Sequence, residues 1–181
     1  MKISITGHRP DEFLKSHYNF ETVKRIIDDT VCVMKRTYGN ELRFITGGAI
    51  GVDQWFAEAC LDHSVQYEMY LPFLPKIQSK LWGDEDKALF NRLMKHSSGL
   101  TIIDPSGGYD SRGYQIRNIK MVDDSGFTIA FWVGRKSGGT FNCMKYALSQ
   151  SKFVLHGLDG LKMIFNQDLK DGWRPGDQND G

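Results

Sequence analysis

The run GFTIAFWV at residues 126–133 is continuous, apolar and rich in aromatic and β-branched side chains, which predicts a strand buried within a sheet. It leads directly into Gly134-Arg135-Lys136-Ser137-Gly138-Gly139-Thr140 and then into a helical pattern over residues 141–150. A buried strand, a glycine-rich turn and a helix in succession form the unit from which parallel sheets are assembled.

The same unit recurs outward from this stretch. Residues 2–6 read as a first strand, stopped by Gly7-His8-Arg9-Pro10, and residues 20–38 carry a helical stripe that ends at Gly39-Asn40. Residues 42–46 (LRFIT) are a second strand, ended by Gly47-Gly48, and residues 52–61 a second helix with Asp53 in its first turn. A negative charge there suits the positive end of the helix dipole. Further along, the pattern predicts a strand over 65–71 cut off by Pro72, a helix over 87–96, a buried strand over 100–103, a mobile loop over 107–113, a helix over 114–124 and a last strand over 153–155. Trp55, Trp132 and Tyr146 follow core spacing, whereas Trp82 has no obvious place. The alternation predicts an α/β fold, a mainly parallel sheet with helices on both faces. Residues 1–165 are expected to form one domain, and the polar stretch 166–181 a tail with little core of its own.

With 23 Lys+Arg against 22 Asp+Glu in 181 residues, the net charge is +1. That balance argues against non-specific coating of nucleic acid, which depends on a large positive field. No apolar run approaches the ~20 residues of a membrane helix, and the first residues lack the apolar stretch of a secretory signal. Cys32, Cys60 and Cys143 form no CxxC pair, and the five histidines show no metal spacing. The expectation is a cytoplasmic protein with no membrane partner, no disulfide framework, no metal and no cofactor.

Ligands of parallel sheets bind beyond the carboxyl ends of the strands, so function is sought in the loops there. In the third loop, Gly138 and Gly139 let a phosphate approach the backbone at the start of a helix, whose unpaired N–H groups attract anions. Thr140 adds a hydroxyl donor or acts as the helix cap, and Arg135 and Lys136 supply charge. In the second loop, Gly47, Gly48 and Gly51 resemble a dinucleotide turn without the GxGxxG spacing, and Asp53 is placed for a ribose hydroxyl or for the helix dipole. In the first loop, Gly7 and Arg9 suit a phosphate contact, and His8 serves as a structural donor or an acid/base group. Arg117 and Asn118, on the helix before the central strand, reach the ligand from the side or pair with Asp123 or Asp124.

The order TGHRP, TGGAIGVDQWFAEA and RNIKMVDDSGFTIAFWVGRKSGGTFNCMKYAL resembles the SLOG superfamily, which unites the Rossmann domain of the DNA-processing protein A (Smf) with the Lonely Guy nucleotide hydrolases. The similarity covers residues 1 to about 155 and is greatest to small single-domain bacterial and phage members. It implies a Rossmann-like, doubly wound fold binding a nucleotide-type ligand, with Gly47, Gly48, Gly51 and Asp53 matching the GGAxGxD segment. Gly138, Gly139 and Thr140 match the GGT loop, and Gly7 and Arg9 the first-strand loop. Homo-oligomerisation is implied as well. The sequence departs from the Lonely Guy pattern PGGxGTxxE, because no Glu stands at the matching place. An N-glycosidic hydrolase would need a carboxylate at the ribose, for which Asp53, Glu58 and Asp123 are the weak candidates. The reading from sequence is therefore a binding module for a nucleotide, NAD or ADP-ribose derivative, acting as sensor or sequestering protein. The alternatives are a phosphoribohydrolase-like enzyme and, less favoured on charge, a single-stranded DNA binder.

Overall fold

β1 (Lys2–Gly7) shows in six residues how the molecule is layered. Ile3 and Ile5 point to one face of the sheet and are fully buried, while Ser4 and Thr6 point to the other. The structure, a computed structural model, describes residues 1–16 and 18–172. After β1 come α1 (Pro10–Leu14), α2 (Phe20–Tyr38), β2 (Arg43–Thr46), α3 (Val52–Asp62) and β3 (Gln66–Phe73). They are followed by α4 (Pro75–Gln78), α5 (Asp84–His96), β4 (Gly99–Asp104), α6 (Ser111–Asp123) and β5 (Phe127–Phe131). The described chain closes with α7 (Gly139–Ser149), β6 (Val154–His156), β7 (Lys162–Met163) and α8 (Asn166–Asp171).

The strands form one seven-stranded sheet in the order β4-β3-β2-β1-β5-β6-β7, all parallel except the final β6–β7 pair. This is the Rossmann-like, doubly wound α/β architecture expected. α2, α3 and α5 cover one face, where Val23, Ile27, Val31, Phe56 and Phe90 pack on Ile3, Ile5, Ile129 and Phe131. α6, α7 and α8 cover the other, where Val122, Met144 and Leu169 pack with Ala130, Trp132 and Val154. The central strand thus sends Ile129 and Phe131 one way and Ala130 the other, which is why its sequence is apolar without alternation. Where β1 offers Ser4 to the second face, the hydroxyls of Thr128 (2.8 Å) and Ser125 (3.0 Å) satisfy it. Among the described residues, no helix is long and apolar enough to cross a membrane.

Four expectations are corrected. β3 runs through Pro72 to Phe73: its pairing with β2 ends at Met69, so beyond that point a strand neighbour lies on one side only and a missing N–H is tolerated. β4 is an edge strand and only half-buried, with Leu100 46% exposed. The loop expected over 107–113 is shorter, because Asp110 caps α6 by accepting from the Arg112 N–H at 2.9 Å. The polar stretch from 166 begins with α8, whose Leu169 is buried against the second face. The rest of that predicted tail, 173–181, lies outside the described residues, as does His17.

Candidate functional site

The chain runs outward from β1 through β2, β3 and β4, then returns to place β5 on the other side of β1. The loops leaving β1 and β5 therefore diverge and open a crevice at the carboxyl end of the sheet. A cleft of about 360 Å³ lies there. Thr6, Gly7, His8 and Arg9 line it from the first loop, Ala49, Ile50 and Asp53 from the second, and Arg135, Ser137, Gly138, Gly139 and Thr140 from the third. Tyr109, Tyr114, Arg117 and Asn118 close it from the side of α6.

The third loop is held from behind. The buried Trp132 at the end of β5 donates its indole N–H to the Arg135 carbonyl at 2.7 Å. Gly138 then stands as the cap of α7 with φ 92° and no side chain to satisfy the first turn. No acidic residue lies in that turn, and Thr140, placed inside the helix rather than at its cap, lines the cleft. The N–H groups and partial positive charge of α7 thus face the cleft with no acidic residue in their own turn. Around them Arg9 is exposed and forms no ion pair with any described residue. Arg135 is engaged, pairing with Glu12 at 2.6 Å and donating to the Ser137 hydroxyl at 3.1 Å. Lys136 turns away to the Lys170 carbonyl and is not part of the cleft.

The floor is a buried ion pair. Arg117 Nη1 donates to Asp53 Oδ2 at 3.3 Å, and the same oxygen accepts the Ala49 N–H at 3.3 Å. Burial pushes the Asp53 carboxyl up, while the Arg117 guanidinium and the Ala49 N–H pull it down. The Arg117 Nε is buried without a partner among the described residues. Asn118 Nδ2 donates to the Gly139 carbonyl at 3.3 Å and so ties α6 to the start of α7. His8 is buried against Phe13, and burial pushes its imidazole down to about 4. At neutral pH it is uncharged, with Nε2 buried and without a partner among the described residues, so it adds no positive charge for an anion.

A family model described as the YspA SLOG family matches residues 3–168. The chain belongs to the YspA SLOG family. Among curated proteins this SLOG chain is 28% identical, over 163 residues, to the uncharacterised SPbeta prophage-derived protein YoqJ of Bacillus subtilis (strain 168), covering 82% of this chain and 94% of YoqJ. Among solved structures it is similar to DNA processing protein A from Streptococcus pneumoniae (TM-score 0.59, 18% identity, 88% of this chain). It also resembles the same protein from Helicobacter pylori, whose structure concerns its single-stranded DNA binding mode (TM-score 0.63, 18% identity, 86% of this chain). The chain spans about half, 52%, of the first of these proteins and 64% of the second. The structural genomics target TM1055 matches over 93% of this chain and 88% of its own, with a TM-score of 0.56 and 14% identity. At these identities the structural matches show the Rossmann-like α/β fold alone.

Within this SLOG domain the residues expected at the site divide. His8, Arg9, Asp53, Arg117, Asn118, Gly138, Gly139 and Thr140 line one cleft, together with Gly7. Gly47, Gly48 and Gly51 sit beside it but do not line it; they face their own neighbours, Arg117, Met69 and the His8 carbonyl. Arg117 pairs with Asp53, and neither Asp123 nor Asp124 is its partner. Asp123 accepts from the Tyr146 hydroxyl (2.9 Å), Asp124 pairs with Lys120 (2.7 Å) and Glu58 with Arg92 (2.5 Å), so Asp123 and Glu58 stand outside the cleft. Sequence reasoning missed Tyr109 and Tyr114. Tyr109 directly after Gly107-Gly108, with Tyr114 five positions on in the first turn of α6, was the available signal. Away from the cleft, Asp28, Cys32 and His63 bring ligand-type atoms within 4.8 Å of one another, the His63 imidazole 2.6 Å from Asp28.

Proposed function

We propose that this SLOG domain binds a nucleotide-type ligand, a nucleotide or an NAD or ADP-ribose derivative, at the crevice between β1 and β5, as a sensor or sequestering module. The observation that carries this reading is the open start of α7: glycines at 138 and 139, no capping side chain and no acidic residue in the first turn, with Arg9, in no ion pair with any described residue, lining the same cleft from the first loop. A helix start of this kind attracts phosphate oxygens through its free N–H groups and its dipole. Arg9 adds a planar, bidentate donor. The carboxylates of Asp53, Asp11 and Glu12 on the walls are acceptors suited to sugar hydroxyls.

Thermal shift and calorimetry against a nucleotide panel test the proposal. A ligand at about 100 times its Kd adds ~2.7 kcal/mol of stability. No stabilisation by any nucleotide at millimolar concentration overturns the reading.

A second reading, cleavage of the N-glycosidic bond, is favoured by one feature only: of the three carboxylates weighed from sequence, Asp53 alone lines the cleft and is pushed up by burial. Release of free base from a nucleoside monophosphate, lost in Asp53→Asn, supports it; no free base rejects it.

A further inference from the structure

A second hollow of about 740 Å³ adjoins the first and shares Arg9, Ile50, Tyr109 and Tyr114 with it. Its character differs. The first cleft is lined by charged groups from all three loops, whereas the second sets Ile77, Leu81, Trp82 and the two tyrosines beside Lys80 and Asp86. Leu81 is 92% and Tyr109 70% exposed. Large apolar side chains left open on a surface are unremarkable singly, but here they converge on one hollow beside an anion-attracting helix start. Two of the aromatic rings are braced. Trp82 stands edge-to-face on the buried Phe90 (5.1 Å between centroids), and Tyr114 does the same on Phe73 (5.6 Å).

The hollow also carries an unsatisfied polar group. Gln78, only 5% exposed, is part of its wall. Its Nε2 donates to the Gly47 carbonyl at 3.2 Å, which fixes the amide orientation and leaves Oε1 as an acceptor with no donor among the described residues. A buried acceptor without a partner is costly unless water or a ligand supplies a donor.

We infer that the second hollow seats the heteroaromatic base of the ligand whose phosphate rests on α7, the shared residues Arg9, Ile50, Tyr109 and Tyr114 passing the sugar from one compartment to the other. The inference rests on the nucleotide reading above and deepens it: the ligand is anionic at one end and planar, aromatic and N–H-bearing at the other. Trp82 and Tyr109 supply the stacking surface, a contact that tolerates any base because every base has a π-face. This assigns Trp82 and Leu81 to ligand selection.

The test is calorimetric titration of the full chain with ribose 5-phosphate and with AMP, GMP, CMP and UMP, repeated on Trp82→Ala and Leu81→Ser. Because Trp82 packs on Phe90, the exposed Leu81 provides a variant that does not depend on core packing. At least one nucleotide is expected to bind ~10-fold or more tightly than ribose 5-phosphate. That ratio is expected to fall at least ~5-fold in Trp82→Ala and by a smaller factor in Leu81→Ser. If ribose 5-phosphate binds as tightly as every nucleotide, or if neither variant moves the ratio, the base seat is overturned and the phosphate reading stands. If none of the five compounds binds, and NAD and ADP-ribose titrated in the same way do not bind either, both are overturned.

Discussion

The loops after β2 and after β5 are both glycine-rich strand-to-helix turns, yet their glycines face opposite ways. At Gly47 a Cβ would fall 0.9 Å from Arg117 Nη1, and at Gly51 (φ 102°) 2.7 Å from the His8 carbonyl. At Gly138 a Cβ would meet nothing within 4 Å, and at Gly139 only Asn118 Nδ2 at 3.8 Å. The second loop is glycine because the protein occupies the space; the third is glycine where the space is open. The helix starts differ in the same sense. α3 has its first N–H directed to the His8 carbonyl (3.4 Å) and carries Asp53 in its first turn. α7 has neither an acidic residue nor a capping side chain there. Glycine content alone does not identify a ligand loop; what the missing side chain would have struck does.

The comparison breaks hardest at Gly47. Gly47→Ala must displace a buried guanidinium from the Asp53 carboxylate, and a loss of ~3–5 kcal/mol is expected. A thermal melt by circular dichroism within two or three degrees of wild type would show the second loop to be looser than described. Arg117→Met, which leaves Asp53 buried and uncompensated, is expected to cost a similar ~3–5 kcal/mol. Adding Asp53→Asn to it should recover much of that loss, since the stranded charge is gone. Failure of the double variant to recover stability in urea melts would argue that the pair is not coupled.

Binding effects come next. Arg9→Ala is expected to weaken the ligand by ~1.5–3 kcal/mol, the range for a hydrogen bond to a charged group, with the melting temperature unchanged. Gly139→Val is expected to abolish binding while sparing the fold, the reverse of Gly47→Ala. Unchanged affinity in calorimetry for either variant removes that residue from the site.

The smallest effect is one of pH. His8 has its folded pKa pushed down from 6.5 to about 4, so between those values the unfolded chain takes a proton that the folded chain refuses. Stability is fully present above 6.5 and is lost as pH falls towards 4, by an amount on the order of 1–3 kcal/mol. His156, pushed down to about 4 by burial, acts with the same sign. Against His8→Gln, the wild type should lose relative stability across that window; parallel pH profiles would contradict the burial of the imidazole.

Much of this was legible in one dimension. Ile3, Ile5, Ile129 and Phe131 announce strands because period-two and continuous apolar patterns reflect local backbone geometry, and Gly7, Gly47 and Gly134 mark the strand ends for the same reason. The third loop and Arg9 were readable because phosphate attraction by a helix start is a local property of the chain. The partner of Arg117 was not, since Asp53 lies 64 positions away and the nearer Asp123 and Asp124 were equally plausible by spacing. Trp82 was opaque for a related reason: its companions Tyr109 and Tyr114 reach it only through the packing of α4, α5 and α6 around β3.

The amino-acid order by itself determined the alternation of strands and helices, the parallel sheet and the three turns where a ligand can meet backbone, because each depends on interactions among near neighbours. Only the tertiary structure decided which glycines are architectural and which face the cleft, that Asp53 is locked to Arg117, and that a charged hollow opens beside an aromatic one. Those depend on what the chain brings together across the β1–β5 reversal, where residues far apart in sequence compete for the same few ångströms.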